Sequence, residues 1–577
     1  MRSLKPETVI FDVRVQRGKN SQAHTTPNAL RSYFLIHMKK MLHNPMIVTV
    51  RRSFYQQALL AVLLLSVASW YFCYSNGTST LYNDAMSHLN LSRLVIDNME
   101  PGFSQLGGVW LPLNHILPLS FIWNDWAWHS GFAGSIVSMI SYIVSVITVY
   151  QIVNNLTKHR LASLIGALSF AVNLNMLYLQ STPMTEPLYV AIFCLSAYVF
   201  VKHILTNRVH YLLLLGLLGF LQVLSRYDGW FVVGIEGLII IFHELVTRRN
   251  SISETIGKLL LFSFPVAFGV GMWLAWNLLI FHDPFFFAFG PYSAHAQQKI
   301  SEAHLDLITK GNVKNSVLAY TYAVIGNLGY YAIGLSLAGV AFFFWQKKLI
   351  RLNAKYKSAI VVFLSAPILF NILALYLGFS ALKIPELAIS NDPAQMWFNV
   401  RYGILALPMA SVFIGVFASW RKIISSFIAL QIIILQAIIM SSGIVTITDG
   451  AIGASSFKNQ DISVYLQQTV KPGQKVLLAT SLYSPVAFKS NVPLKQIIHE
   501  GVSKQWNFAL KNPQKYTTWI VMANGDVGDP IYTMMVKEEQ NRFLQFYSLD
   551  FRGKYANIYR IKNSSAPHER LTSSARK

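Results

Sequence analysis

The chain has 577 residues, of which 53% are hydrophobic and only 13% are charged. Soluble globular proteins carry about 25% charged residues, so this composition excludes an ordinary soluble protein and indicates a polytopic membrane protein. A formal net charge of +23 is compatible with nucleic-acid binding, but the positions of the basic residues favour another explanation. The two cysteines lie in apolar runs and offer neither a disulfide framework nor a metal-ligand spacing.

The chain begins with a basic stretch. Residues 1–57 hold ten lysines and arginines but only two acidic residues, which predicts a basic cytoplasmic segment. The apolar run that follows lacks a small-residue cleavage site and is interpreted as a retained first span. A span needs about 20 apolar residues and must be helical in lipid. The sequence therefore predicts transmembrane helices at 58–75, 131–153, 161–180, 187–201, 210–224, 230–245, 259–281, 317–345, 358–378, 402–419 and 423–441.

The basic residues determine the predicted orientation. With a cytoplasmic N-terminus, the five short inward loops carry fourteen lysines and arginines, whereas the longer outward segments between spans carry seven. The positive-inside rule then predicts a multi-pass protein of the cell (inner or plasma) membrane, and it explains most of the positive charge. The predicted transmembrane domain, 58–441, has large outer loops at 76–130, 282–316 and 379–401.

The chain after the last span predicts a second domain. Residues 448–563 contain "KVLLAT", "YTTWIVMA" and "FLQFYSLDFRGKYANIYRI", which are rich in β-branched and aromatic residues. They also contain "DISVYLQQTV", which has the pattern of a helix. These residues predict a small extracytoplasmic α/β domain, and residues 564–577 predict a disordered tail. The predicted fold class is an α-helical polytopic membrane protein of about eleven spans with this small domain at its C-terminus.

Polar groups that suit chemistry lie on the predicted outer side, on five separate segments of the chain. The segments are "LYNDAMSHL", "STPMTEPLY", "SRYDGW", "FHDPFFFAFGPYSAHAQQK" and "MWFNVRYGILALP". Simpler interpretations exist: Asp84 suits the N-cap of an interfacial helix, and Arg226 and Arg401 suit snorkelling anchors. Glu186 resists such an interpretation because it lies beside apolar helix ends, where an unpaired charge is costly. Convergence of the five segments on one membrane face indicates an active site.

The residue types fit transfer of a sugar from a lipid phosphate. Arginine binds phosphate oxygens through paired hydrogen bonds, so Arg401 is the predicted phosphate ligand, supported by Lys299 or Arg226. Asp84 is the predicted general base for the acceptor hydroxyl. Glu186 is a second carboxylate that stabilises charge at the sugar or orients the acceptor. The other candidates are His88 for catalysis, Tyr402 and His295 for the donor, and Tyr82, Trp110, His115, Asp228, Asp283, Tyr292 and Asn399 for acceptor or sugar contacts.

At these motifs the chain resembles the GT-C membrane glycosyltransferases, in particular the branch with the protein O-mannosyltransferases and the lipid A aminoarabinose transferase. The resemblance covers about residues 46–442 and rests on "LYNDAMSHL", "TPMTEP" and "NVRYGILALP". It implies a catalytic role for Asp84, a site role for Glu186, and lipid-phosphate contacts for Arg401 and Tyr402. It also implies inversion by single displacement, with a polyprenyl-phosphate-linked sugar, a hexose such as mannose, as the donor.

One departure from the family pattern bears on cofactors. Many members carry a paired acidic motif, but here Asp84 is followed by Ala85, and the next acidic residue is Asp97. Because this carboxylate pair is missing, we predict no cofactor and an enzyme that is independent of a divalent metal or only weakly dependent on one. The predicted partners are the polyprenyl-phosphate sugar donor, an acceptor glycan, lipid or protein, and membrane lipids, but no nucleic acid.

Three other functions stay open on the sequence alone. A lipid-linked sugar flippase or other transporter places substrate groups near the membrane midplane, where Glu236 is the main ionisable residue. A membrane scaffold with a binding module does not need acids, bases and cations on separate loops. An oligosaccharide transferase with a lipid pyrophosphate donor is the nearest alternative enzyme, and the modest outer domain and missing acidic pair favour a monosaccharide donor over it.

Overall fold

The computed structural model describes residues 45–290, 293, 295–296, 308–347, 350, 352–388, 396–453, 455, 457–525 and 528–562. Most of the predicted basic segment 1–57 and the whole predicted tail 564–577 lie outside the described residues. The contacts discussed below all lie within Leu63–Lys577, which is the larger of the chain's two compact units.

Helices form nearly all of the described chain up to Ser442. The first group is α1 (Pro45–Ser75), α2 (Asn83–Leu94), α3 (Leu113–Ile116), α4 (Asp125–His129), α5 (Phe132–Thr157), α6 (Arg160–Ala171), α7 (Leu174–Leu179), α8 (Glu186–Thr206), α9 (His210–Ser225), α10 (Tyr227–Phe242) and α11 (Ile252–Phe281). The second group is α12 (Phe286–Phe289), α13 (Val313–Leu328), α14 (Tyr330–Trp345), α15 (Ala354–Leu377), α16 (Leu407–Ala418) and α17 (Lys422–Ser442). A π-helical turn, His243–Thr247, extends α10, and a 3₁₀ turn, Val400–Ala406, precedes α16. Further 3₁₀ turns are Phe103–Leu106, Leu117–Ser120 and Pro385–Leu387.

These helices confirm the predicted polytopic membrane fold. Within the described residues, eight helical segments are long and apolar enough to cross a membrane, or nine if the bent pair α13 and α14 is one span. Two more apolar helices, α6 and α9, are shorter. Each of the eleven predicted spans therefore corresponds to helical structure, while the number of complete crossings stays a prediction.

Two predicted spans are interrupted. The segment 161–180 divides into α6 and α7 because the side chain of Asn173 accepts a hydrogen bond from the backbone N–H of Met176 (2.9 Å) and so starts a new helix. The segment 317–345 bends by 104° between α13 and α14. The bend lies at Gly329, whose φ of +80° favours glycine.

Small residues allow α16 to approach α6 closely. A Cβ atom added to Gly166 would lie 3.0 Å from the carbonyl oxygen of Ser411 and 3.3 Å from the Cα atom of Gly415. Small residues at helix contacts are the usual means by which membrane helices pack tightly. This contact fixes α16, and with it the preceding turn that carries Arg401.

A small mixed-sheet domain follows α17, which confirms the predicted C-terminal α/β domain. Its strands are β1 (Val476–Leu477), β2 (Ile497–Ile498), β3 (Trp519–Ala523), β4 (Tyr547–Arg552) and β5 (Ala556–Ile561). The order is β2-β1-β3-β5-β4; β1 is parallel to β2 and β3, and β5 is antiparallel to β3 and β4. A short helix, α18 (Val445–Thr448), precedes the domain, whose own helices are α19 (Gln460–Thr469), α20 (Thr480–Lys489), α21 (Ser503–Lys511), α22 (Pro513–Tyr516) and α23 (Pro530–Tyr532). Every residue of β3 is buried, as expected for a central strand.

The sheet domain is attached to the loop between α1 and α5. The side chain of Asn90 in α2 donates to the carbonyl oxygen of Ser484 (2.9 Å). The carboxylate of Asp97 accepts from the backbone N–H groups of Leu494 (3.3 Å) and Lys495 (3.4 Å). This loop and the sheet domain also share one apolar core. The domain therefore lies at the same end of the bundle as α2.

Candidate functional site: a buried ion cluster at helix starts

Helix starts bring the acidic residues of the site together. Asp84 lies in the first turn of α2, Glu186 is the first residue of α8, and Asp228 lies in the first turn of α10. Carboxylates are favoured at helix N-termini because the exposed N–H groups and the helix dipole are positive there. The same local rule thus places three carboxylates at one end of the bundle, and each needs a cation once it is buried.

Arg401 joins two of these carboxylates. Its Nη2 atom lies 2.5 Å from Asp84 Oδ2, and its Nε atom lies 3.1 Å from Glu186 Oε1. The guanidinium carbon lies 4.7 Å from the ring centre of Tyr82 and 5.1 Å from that of Tyr402. Cation–π contacts of this kind add to the stability of a cation removed from water. Two carboxylates and two aromatic rings therefore hold the guanidinium group of Arg401 in place.

Arg226 completes the cluster from the junction of α9 and α10. Its Nη1 atom lies 3.1 Å from Glu186 Oε1 and 2.8 Å from the hydroxyl of Thr185, and its Nε atom lies 2.5 Å from Asp228 Oδ2. One oxygen of Glu186 thus accepts hydrogen bonds from two arginines. The site combines residues that are up to 317 positions apart in the chain.

The cluster has one exposed edge. Glu186 is fully buried and the side chain of Arg401 is only 3% exposed, whereas the side chain of Asp84 is 32% exposed. A reacting group from outside can therefore reach Asp84 without opening the bundle. Arg401 couples that exposed carboxylate to the buried part of the cluster.

Several buried polar atoms of the cluster keep hydrogen-bonding capacity. Glu186 Oε2 and Arg401 Nη1 have no hydrogen-bond partner among the described residues. Unpartnered buried polar atoms cost free energy and are few in native proteins, so each calls for an explanation. A bound anion at Arg401 would supply one.

Asp449 is a further member that the sequence analysis missed. Its Oδ2 atom accepts from the hydroxyl of Tyr82 (3.0 Å) and from the backbone N–H of Arg401 (3.4 Å). It begins a π-helical turn, Asp449–Gly453, directly after α18. The available signal was an acidic residue at the end of the last apolar run, in "ITDG".

A pair of neutral histidines lies beside the cluster. His88 Nδ1 is 2.9 Å from His115 Nε2, and the ring of His88 packs on Trp110 with 4.4 Å between ring centres. Burial, together with the positive charges of Arg401 and Arg226 and against the opposing effect of Glu186, lowers the pKa of His88 to about 3. Burial, with the neighbouring His88, also lowers the pKa of His115 well below its usual value. Near neutral pH, one imidazole therefore donates to the other and neither carries a charge.

Other candidates lie apart from the cluster or outside the described chain. Asp283 accepts from the backbone N–H of Phe285 (2.9 Å), which makes it a local turn residue. The ring of His295 packs near those of Phe289 and Phe379, at 6.0 and 6.5 Å between centres. Lys299 and Tyr292 lie outside the described residues.

Asn399 prepares the backbone that presents Arg401. It adopts a left-handed conformation with φ of +59°, which asparagine tolerates better than most residues. Its side chain donates to the carbonyl oxygen of Ala381 (3.0 Å). The structure thus places Asn399 behind the site, in the turn before Arg401.

The fold and the cluster define a class of protein: an integral-membrane helical bundle with a buried polar site at one end, beside a small sheet domain. A family model described as dolichyl-phosphate-mannose-protein mannosyltransferase matches residues 127–273. The matched range includes Glu186, Arg226 and Asp228. Among curated proteins, no significant sequence match was found.

Two solved structures of ArnT share the fold. ArnT from Cupriavidus metallidurans, solved with bound undecaprenyl phosphate, matches with a TM-score of 0.52 at 11% identity, over 87% of this chain and 98% of ArnT. The apo form of that protein matches with a TM-score of 0.51 at 11% identity, over 88% and 98% of the two chains. The oligosaccharyltransferase AglB from Archaeoglobus fulgidus, with an inhibitory peptide and a dolichol phosphate, matches at 0.47 and 11% identity, over 90% and 75%. The family match and the ArnT fold confirm the predicted resemblance to GT-C membrane glycosyltransferases.

Proposed function

We propose that this protein transfers a sugar, a hexose such as mannose, from a polyprenyl-phosphate-linked donor to an acceptor hydroxyl on the extracytoplasmic face, with inversion. The observation that carries the proposal is the position of Arg401, which bridges the exposed carboxylate of Asp84 and the buried carboxylate of Glu186. A base and a phosphate-binding cation are thereby held in contact at one membrane surface.

Asp84 has the properties required of the general base. It is the exposed member of the cluster, so an acceptor hydroxyl can reach it. The hydrogen bond from Arg401 orients its carboxylate before the acceptor arrives, and such positioning is a large part of general-base catalysis. Asp84 then takes the proton as the acceptor oxygen attacks the anomeric carbon.

Arg401 has the properties required of the phosphate ligand. Its fixed positive charge and its unpartnered Nη1 atom leave capacity for an anionic oxygen, and guanidinium matches phosphate geometry. In the proposed reaction, the bond between the anomeric carbon and the phosphate oxygen breaks, and its electron pair leaves with polyprenyl phosphate. Arg401 stabilises that negative charge, with Arg226 as a second cation behind it.

The comparisons support the same chemistry. The family model that matches residues 127–273 is described by a dolichyl-phosphate-mannose donor, and ArnT, which shares the fold, was solved with undecaprenyl phosphate. The family and the ArnT structure are thus each associated with a polyprenyl phosphate compound. This supports a lipid monophosphate carrier for the donor, whereas the acceptor can be a glycan, a lipid or a protein.

The proposal is tested by the release of polyprenyl phosphate from a synthetic polyprenyl-phosphate mannose in nanodiscs. Asp84→Asn should lower the rate about 100-fold or more, since loss of a general base costs 10²–10⁴-fold. Asp125→Asn is the matched control, because Asp125 lies in the same loop and its side chain is 76% exposed. Full activity of the Asp84→Asn variant would show that Asp84 is not the general base. In sealed proteoliposomes, movement of the intact donor across the bilayer without release would identify a transporter instead.

A further inference from the structure

A second buried cluster lies at the other end of α8. It contains His203, near the C-terminal end of α8, together with His243 and Glu244 from the π-helical turn after α10. All three residues are buried, and one ligand atom from each lies within 4.8 Å of the others. Seventeen residues separate Glu186 from His203 on one helix, which corresponds to about 25 Å. This cluster is therefore distinct from the site around Arg401.

One carboxylate oxygen faces both imidazoles. Glu244 Oε1 lies 3.1 Å from His243 Nδ1 and 3.5 Å from His203 Nε2. The other oxygen, Oε2, accepts from Lys258 Nζ (2.8 Å) and from the side-chain amide of Asn250 (2.6 Å). Lys258 also pairs with Glu254 at 2.7 Å, so its charge is shared between two carboxylates. Oε2 is thus held in place, while Oε1 points at the two rings.

The hydrogen bond at Nδ1 of His203 determines what Nε2, on the other side of the ring, directs at Glu244. His203 Nδ1 lies 3.4 Å from the carbonyl oxygen of Arg208, and a carbonyl can only accept. Nδ1 therefore carries the hydrogen, and in the neutral form of the ring Nε2 directs a lone pair at the carboxylate. Two lone pairs that face each other repel unless a proton or a metal cation lies between them. A ring N–H bound to a backbone carbonyl is also the usual arrangement behind a metal-bound histidine.

We propose that His203, His243 and Glu244 bind a divalent transition-metal cation of the zinc type, with water as the fourth ligand. Two imidazole nitrogens and one carboxylate oxygen are a frequent ligand set for zinc. Neighbouring ligand atoms in a tetrahedral zinc site are roughly 3.3 Å apart, given metal–ligand bonds of about 2.0–2.1 Å. The two separations from Glu244 Oε1, 3.1 and 3.5 Å, are close to that value, and the ligand atoms of the two rings lie within 4.8 Å of each other.

The two adjacent ligands lie on a π-helical turn, His243–Thr247. The Nδ1 atom of His243 and the Oε1 atom of Glu244 are 3.1 Å apart there, and π-helical turns are found frequently at functional sites. The proposed metal fastens the ends of α8 and α10 to each other and, through Lys258, to α11.

The test is metal binding by the full-length, tag-free protein in detergent. After removal of metals with a chelator, the protein is dialysed against Zn²⁺ and its metal content is measured by mass spectrometry. The wild type should retain about one zinc more per chain than the double variant His203→Ala/His243→Ala. His210→Ala is the control, since the ring of His210 packs against that of Tyr211 with 4.3 Å between centres, and this variant should retain the same amount as the wild type.

A spectroscopic measurement on the wild type keeps the proposal testable even if the double variant fails to fold. Co²⁺ added to the metal-free protein should produce the intense visible bands of a tetrahedral site, and Zn²⁺ should abolish them by displacement. Glu244→Gln should weaken or shift the bands. Equal zinc content in the wild type and the double variant, or cobalt bands that are absent, would overturn the proposal. Neither readout depends on sugar transfer, so the outcome is independent of the function proposed above.

Discussion

The two ends of α8 carry similar buried charges in different settings. At the first end, Glu186 forms ion pairs with Arg226 and Arg401. Arg401 also pairs with Asp84, whose side chain is 32% exposed. At the other end, Glu244 is fully buried among two histidines and Lys258, and Lys258 is only 12% exposed. An ion cluster with an exposed acid can exchange a proton with a substrate. A cluster enclosed on all sides serves to bind an ion or to stabilise the fold.

The largest effect is expected from Arg401→Gln at the open end. This change leaves Asp84 and Glu186 without the cation that joins them, and removal of one partner of a buried ion pair costs about 3–5 kcal/mol. The midpoint of thermal unfolding in detergent should fall accordingly. The rate of polyprenyl phosphate release should fall about 100-fold or more, because the leaving phosphate loses its ligand.

Arg401→Lys distinguishes the contribution of the positive charge at this position from that of the planar guanidinium group. Lysine keeps the positive charge but lacks the planar fork that binds two carboxylates at once. We expect stability closer to the wild type than in the Gln variant, with activity still strongly reduced. Wild-type activity in Arg401→Gln would show that the open end is only structural and would remove the distinction between the two clusters.

The next largest effect is expected from Glu244→Gln at the enclosed end. Loss of this buried charge leaves Lys258 with Glu254 as its remaining partner and should lower the free energy of unfolding by about 3 kcal/mol. The transfer rate per folded molecule should stay unchanged, since the site lies about 25 Å away along α8. Thermal unfolding and the release assay on the same preparation check both parts. A variant with normal stability and lost activity would contradict this prediction.

The sequence predicted the fold well because its main signals are local. Apolar runs mark membrane helices, and every predicted span corresponds to helical structure. The helix breaks at Asn173 and Gly329 were not predicted, because a single polar residue or glycine within a long apolar run is a weaker signal than the run itself. The sheet domain was predictable from its apolar, β-branched strands, although its order β2-β1-β3-β5-β4 was not.

The polar clusters were predictable to different degrees. Asp84, Glu186 and Arg401 attract attention in sequence because each is a charge where an apolar run begins or ends. The contacts between them join residues 215 and 317 positions apart, and only the tertiary fold fixes such pairing. Asp449 gave only a weak signal, an acidic residue at the end of the last apolar run, and His203 gave none, because a single polar residue there is indistinguishable from an ordinary helix end.

A pH experiment tests the pair His88 and His115, whose imidazole rings face each other beside the open cluster. The pKa values of His88 and His115 are depressed in the folded protein, so the unfolded chain binds more protons below pH 6.5. Stability should therefore fall as the pH is lowered, by about 2 kcal/mol for the two residues between pH 6.5 and 5.5. Unfolding midpoints measured across this range should show the slope.

The double variant His88→Gln/His115→Gln is the control for that slope. Glutamine retains hydrogen-bonding groups but does not titrate, so the dependence on pH should become flatter by the same amount. An unchanged slope would mean that groups other than His88 and His115 determine the acid sensitivity.

The smallest effect is expected at the exposed ion pair of the loop that carries the site. Arg93 Nη2 lies 2.6 Å from Asp125 Oδ1, but the side chain of Asp125 is 76% exposed. Surface pairs of this kind contribute less than about 1 kcal/mol, and Arg93 also donates to the carbonyl oxygens of Ile122 (2.8 Å) and Trp123 (3.1 Å). Asp125→Asn should therefore leave the unfolding midpoint nearly unchanged.

Asp97→Asn is the informative partner for that measurement. Asp97 is largely buried and accepts from two backbone N–H groups of the sheet domain, so its neutralisation should weaken hydrogen bonds worth roughly 1–2 kcal/mol. If Asp125→Asn destabilised the protein as much as Asp97→Asn, exposure to water would not be what separates the weak ion pairs of this molecule from the strong ones. The contrast between the open and the enclosed cluster rests on that same dependence of charge interactions on burial.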